Sequence, residues 1–272
     1  MLNALLPFLL MQVGIAPTMP TFSDLPPELR DRPAREEVAS PRPRATTALD
    51  TCLKLAASDP ARARTLADEW ISRTTGAQRA AGSHCLGVAT ANSGDWAAAA
   101  AAFLAARGDA DEPRFRARMS ALAGSALLAQ GDPDAALAAL DAGQADAAGD
   151  AELSGALQLD RASALVSLGR ETDAAAALSE ARAAVPQDAQ AWLLSATLSR
   201  RMGDMTGAQT FIEQAAALDP RDPAVGLEAG VIAALDGRDE AARKSFESVV
   251  AASPESEQGV AAKRYLAQLA GE

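Results

Sequence analysis

The residues able to do chemistry are few. The single histidine, His84, directly precedes Cys85, and a thiol beside an imidazole is the pairing from which a nucleophile is built. Neighbouring residues on a helix point in different directions, however, and no strand-turn-helix elbow that would expose a serine nucleophile accompanies the histidine. A glycine-rich phosphate loop with its lysine is missing, and no His, Cys and Asp cluster has metal-ligand spacing. The acidic string GDPDAALAALDAGQADAAGD at 131–150 spaces its carboxylates as a helix does rather than as a calcium loop does. It reads as a helix start and a solvated face. The sequence thus predicts no catalytic residue, no cofactor and no metal ligand, and the expectation is that the protein is not an enzyme.

What the chain has in abundance is scaffold. Of 272 residues, 49% are hydrophobic and only 4% aromatic. The apolar share is mostly alanine and leucine, a composition that favours helices over sheets. The net charge is −11. Residues 1–45 hold five arginines against five acidic residues, so the whole excess falls on 46–272, which has the chain's three lysines. Phosphate binding needs clustered cations, so nucleic acid is excluded as a partner. Leu2 to Ala16 form an uncharged apolar run of signal-peptide length, shorter than the roughly 20 residues of a membrane-spanning helix. No Lys or Arg precedes it and Pro17 follows it directly. The expected reading of 1–16 is an export signal, giving a periplasmic or secreted protein with no membrane span in the mature chain. The alternatives are an apolar tail on a cytoplasmic protein or an uncleaved N-terminal anchor. Residues 17–45, with seven prolines from Pro17 to Pro43, read as a flexible linker.

The rest repeats. Gly169, Gly203 and Gly237 are spaced by 34 residues, as are Ala174, Ala208 and Ala242, and Pro186, Pro220 and Pro254. Each unit reads as one apolar-periodic helix ending near its Gly, a polar turn, and a second helix stopping before its Pro. Trp192, Gly203, Ala208, Ala215 and Pro220 in unit 189–222, and Gly230, Gly237, Ala242, Phe246 and Pro254 in unit 223–256, carry a pattern that resembles the tetratricopeptide repeat. Units 80–113, with Leu86-Gly87, Gly94, Ala99, Phe103 and Ala106, and 117–150 and 155–188 extend it. A first unit at about 44–77 has Ser58 in the Gly place, and 257–272 reads as a capping helix. The alanine run WAAAAAAFLAARGD thereby acquires a register, with Ala99 and Ala106 closing the hairpin, Phe103 entering the next layer, and several of Ala97, Ala98, Ala100, Ala101 and Ala102 facing solvent.

The resemblance implies an all-α solenoid of about six helical hairpins forming a right-handed superhelix, whose groove is lined by first helices. It also implies a function: a protein-interaction scaffold holding a protein or peptide partner in that groove. The alternatives are a self-associating structural or regulatory repeat domain and an accessory module of an envelope assembly machinery, and the oligomeric state is open. Groove residues in this family fall thirteen, ten, six, three and two places before the turn glycine. In this sequence the implied binding residues are His84, Asn92, Arg118, Gln190, Leu193, Thr197, Arg200, Arg201, Leu227 and Val231, with Arg200 and Arg201 facing a partner's carboxylates. The alignment also puts Cys52 and Cys85 in neighbouring first helices, close enough for a disulfide in an exported protein, while free buried thiols are the expectation in a cytosolic one.

Overall fold

The computed structural model describes residues 47–271, and every regular element among them is an α-helix. The apolar run and the proline-rich segment lie outside the described residues. Six hairpins follow one another. They pair Ala48–Ser58 (α1) with Pro60–Ser72 (α2), Gly76–Asn92 (α3) with Trp96–Asp109 (α4), and Pro113–Gln130 (α5) with Pro133–Asp146 (α6). Then come Ala151–Ser167 (α7) with Glu171–Ala184 (α8), Ala189–Arg201 (α9) with Met205–Leu218 (α10), and Pro223–Leu235 (α11) with Asp239–Ala252 (α12). Glu257–Ala270 (α13) closes the end by packing on α11 and α12. This is a helical-repeat solenoid.

The boundaries follow from local chemistry. Asp59, Asp95, Asp132, Asp150, Asp188, Asp204 and Asp222 each cap a helix by accepting a backbone N–H from its first turn, so part of the acidic excess is structural. In five hairpins the turn runs through Gly94, Gly131, Gly169, Gly203 or Gly237 at φ between 71° and 87°, a left-handed backbone that glycine adopts without strain. The first hairpin is built otherwise. α1 ends at Ser58, Asp59 caps α2, and Pro60 occupies its first turn.

Helices close on one another through matched sizes. A Cβ on Gly87 would lie 2.5 Å from Phe103, one on Gly124 2.6 Å from Leu140, and one on Gly230 2.6 Å from Cδ1 of Phe246. At the equivalent places Ala162 shares a core cluster with Leu178, and Ala196 with Ile212. Both phenylalanine rings thus meet glycine, whereas the aliphatic chains meet glycine at Gly124 and alanine at Ala162 and Ala196. Ala99, Ala136, Ala174, Ala208 and Ala242 are wholly buried. The alanine run is less tolerant than expected, because Ala100 and Ala102 are buried too. α4 packs against α5 of the next hairpin as well as α3, so more than one of its faces is covered. Asp146, read as part of a solvated face, instead holds Arg107 at 2.8 Å and Arg116 at 2.6 Å.

Candidate functional site

The first helices form a row in which close and open seams follow one another. α1 packs on α3, α5 on α7, and α9 on α11, whereas α3 and α5, and α7 and α9, approach less closely. The close seams are also the ones crossed by polar side chains. Asn92 Nδ2 donates to the Ala56 carbonyl at 2.9 Å, and Cys52 is bridged to Cys85, joining α1 to α3. Ser125 Oγ donates to Asp160 at 3.0 Å between α5 and α7. Arg200 donates two hydrogen bonds to Glu228, at 2.6 and 3.2 Å, between α9 and α11.

The open seam between α7 and α9 holds a cleft of about 200 Å³. Val166 and Ser163 line it from α7, Leu194, Thr197 and Arg201 from α9, and Leu178 and Leu198 form its floor. Arg201 at its rim reaches Glu171 only at 3.5 Å and stays about half exposed. One helical turn before Ser163 stands Asp160. Burial pushes its carboxyl above the usual carboxylate range despite the hydrogen bond from Ser125, and no cation lies within 4 Å of it among the described residues. The cleft is therefore apolar, has room for one large side chain, and lies among opposite charges.

The open seam between α3 and α5 holds His84. Its ring lies 5.8 Å from that of Phe115 and 6.3 Å from that of Phe103, and its Nδ1 is buried with no hydrogen-bond partner. Burial first, and the nearby Arg118 second, hold its pKa below the usual imidazole value. Among the described residues no group of three or more His, Cys, Asp or Glu is placed to hold a metal ion.

Of the residues singled out from sequence, Thr197 and Arg201 line the cleft. Leu193 does not. It is buried in the core with Ala196, Ala208 and Ile212, because the cleft-facing stripe of α9 runs through the half-buried Leu194 and Thr197 and the exposed Arg201, with helical spacings of three and four. Arg200 and Asn92 are committed to Glu228 and Ala56 and so knit the scaffold rather than face an open groove. Leu227 and Val231 are half-buried against the cluster around Phe246, and Gln190 and Arg118 are exposed away from the cleft. Leu194, Val166 and Asp160 escaped the sequence reading. Nine places before the turn glycine, rather than ten, is the offset that would have found Leu194 and Asp160.

Residues 159–223 and 196–257 match the family model described as tetratricopeptide repeat. No curated protein matches the chain in sequence. Among solved structures it is similar to PilW, a widely conserved type IV pilus biogenesis factor, with a TM-score of 0.65 at 18% identity, covering 80% of this chain and 99% of that one. It is also similar to pilF of Pseudomonas aeruginosa (TM-score 0.62, 13% identity, 81% of this chain and 97% of that one). A third is YrrB, a tetratricopeptide-repeat protein with an unusual peptide-binding site (TM-score 0.51, 17% identity, 74% and 97%). At such identities the likeness is one of fold.

Proposed function

We propose, from the premise that this chain is a tetratricopeptide-repeat protein, that it is a non-enzymatic scaffold that seats a peptide segment of a partner protein across the seam between α7 and α9. The observation that carries this reading is the apolar cleft itself, open between two first helices, with Arg201 on its rim and Asp160 a turn away. A peptide side chain of Leu or Phe size fills the cleft. An acidic residue of the peptide meets Arg201, and a basic one meets Asp160, whose charge lacks a counterion. The peptide-binding site of YrrB and the pilus-biogenesis role of PilW are of the same kind. We place the protein in an oxidising envelope compartment. The Cys52–Cys85 bridge supports that placement because such bonds persist where thiols are not kept reduced. No helix among the described residues is long and apolar enough to cross a membrane.

Selection of displayed peptides on the purified protein tests the reading. Enriched sequences are expected to combine one large apolar residue with an acidic and a basic neighbour. They are expected to lose binding to Ser163→Trp, which fills the cleft from an exposed position, and to weaken on Arg201→Glu. Peptides that bind all three proteins equally would remove this seam from the site.

A further inference from the structure

The same junction between the fourth and fifth hairpins carries a second cleft, of about 260 Å³, on its other side, among α8, α9 and α10. Leu178 and Leu198 line both clefts. Into the second one reaches Arg182 of α8. Its guanidinium carbon lies 4.4 Å from the ring centre of Phe211 and 5.2 Å from that of Trp192, and the group donates to Ser195 Oγ. The aromatic faces hold the guanidinium plane in place and stabilise its charge. Trp192 is itself fixed by donating from Nε1 to the Pro186 carbonyl at 2.9 Å.

What this arginine lacks is a carboxylate. The other half-buried arginines, Arg107, Arg116, Arg161, Arg200 and Arg238, each hold one within 4 Å. Among the described residues the cations without such a partner are otherwise exposed ones, such as Arg62, Arg221 and Arg264. Arg182 is the exception, and burial lowers its pKa. Removing a charge from water without a counter-ion is unfavourable, and the chain has acidic residues in excess from which a partner could have come. The one carboxylate lining the cleft, Asp204, instead accepts the Gly207 N–H at 2.9 Å as the cap of α10. Beside the guanidinium the walls are mainly apolar, through Ala175, Leu178, Leu198 and Phe211 with Ser199 among them, and Met202 stands 45% exposed at the mouth.

We propose that this cleft is a second binding site, taking a peptide carboxylate that carries an adjacent apolar side chain. The carboxylate pairs with the free N–H edge of Arg182, and the apolar group covers Met202 and Leu198. Asp204 at the edge limits the site to a single negative charge. The site stands independently of the α7–α9 groove, which shares with it only the leucine floor.

Three short peptides separate the sources of that carboxylate: acetyl-Ala-Ala-Leu with a free C-terminus, its C-terminal amide, and acetyl-Ala-Glu-Leu-amide. Each is titrated into the full chain while the Trp192 indole N–H resonance is followed by NMR. The expected result is a saturable shift with the free acid, the glutamyl peptide or both, and at least tenfold weaker binding of the neutral amide. Arg182→Gln is expected to abolish the response. Ser199→Glu places a carboxylate on the cleft wall and leaves Arg182 intact; it is expected to block the peptides and raise the thermal midpoint, which guards against a mere folding defect in the first variant. A response to the free acid alone assigns the site to C-termini, and one to the glutamyl peptide alone to side chains. If neither acid shifts the resonance, if the amide binds as well as the acids, or if folded Arg182→Gln still responds, the site does not exist.

Discussion

Replacing Gly230 by alanine puts a methyl group where the Phe246 ring now lies, its Cβ 2.6 Å from Cδ1 and 2.8 Å from Cζ. The ring is 1% exposed and stacked on Tyr265 of α13 with ring centres 5.2 Å apart, so it cannot retreat without displacing the capping helix. Overpacking of this kind costs about 1–3 kcal/mol, against which the better helix propensity of alanine returns up to about 1 kcal/mol. Phe246→Leu alone leaves a void and costs about 1–3 kcal/mol. The double variant is the informative one, because it recreates the alanine-with-aliphatic pairing that Ala162 with Leu178 and Ala196 with Ile212 already use. The two changes should therefore offset each other, with a coupling of about 1–2 kcal/mol in a double-mutant cycle. Urea unfolding read by circular dichroism measures it, provided the slopes of the four proteins agree. Additive losses, within about 0.5 kcal/mol, would refute the argument that closure of this hairpin rests on glycine meeting a large ring.

Asp160→Asn should raise the thermal midpoint at neutral pH. Burial holds the Asp160 carboxyl above its ordinary value of 3.8, so the ionised form opposes folding once pH rises through the folded pKa, and the opposition is absent below 3.8. The gain from the variant, about 2–4 °C per kcal/mol, should vanish in a melt near pH 3; a constant gain at all pH values would contradict the assignment. His84 titrates the other way. Its pKa lies below the ordinary 6.5, so the unfolded chain takes up the proton first and stability is lost as pH falls from 6.5 through the folded value. Melts of wild type and His84→Gln between pH 7.5 and 5 should diverge by that slope, and parallel curves would show that Phe103, Phe115 and Arg118 do not exclude the proton. Reduction of the Cys52–Cys85 bridge, which closes a loop of sequence separation 33, should lower stability by about 2–4 kcal/mol and speed amide exchange first in α1 and α2. Two free thiols in an Ellman titration of the unfolded, unreduced protein would refute the bridge itself.

The solenoid was legible because its determinants are local and recur. A turn glycine at left-handed φ, with a Gly or Ala seven places before it and a large residue nine places after it, recurs in five hairpins, and in three of them an aspartate cap directly follows the glycine. The first hairpin broke the pattern by turning through Asp59 and Pro60 rather than through a glycine. Its place in the stack rests on the bridge to α3, which the near-repeat spacing of the two cysteines had suggested, and on Trp70 packed against Cys52 and Cys85, a contact that leaves no periodic mark.

The site was less legible because it depends on which seams stay open, and that is decided between helices rather than within them. Glu228 and Asp160 occupy the same place, nine residues before their turn glycines. Glu228 faces Arg200, three residues before the glycine of the preceding hairpin, and the pair closes that seam at 2.6 Å. At the place equivalent to Arg200 the hairpin before Asp160 has Leu128, so Asp160 finds only the Ser125 hydroxyl and keeps an uncompensated charge. Two acidic residues in one register thus have opposite roles, one a structural tie and the other a candidate contact. The difference lies in a single residue about thirty positions upstream. A family offset applied to one hairpin at a time selects Arg200 and passes over Asp160. Reading each charge against the hairpin before it reverses both choices, and it leaves Arg201, one residue along from the tied arginine and only loosely paired with Glu171 at 3.5 Å, as the cation placed to meet a partner.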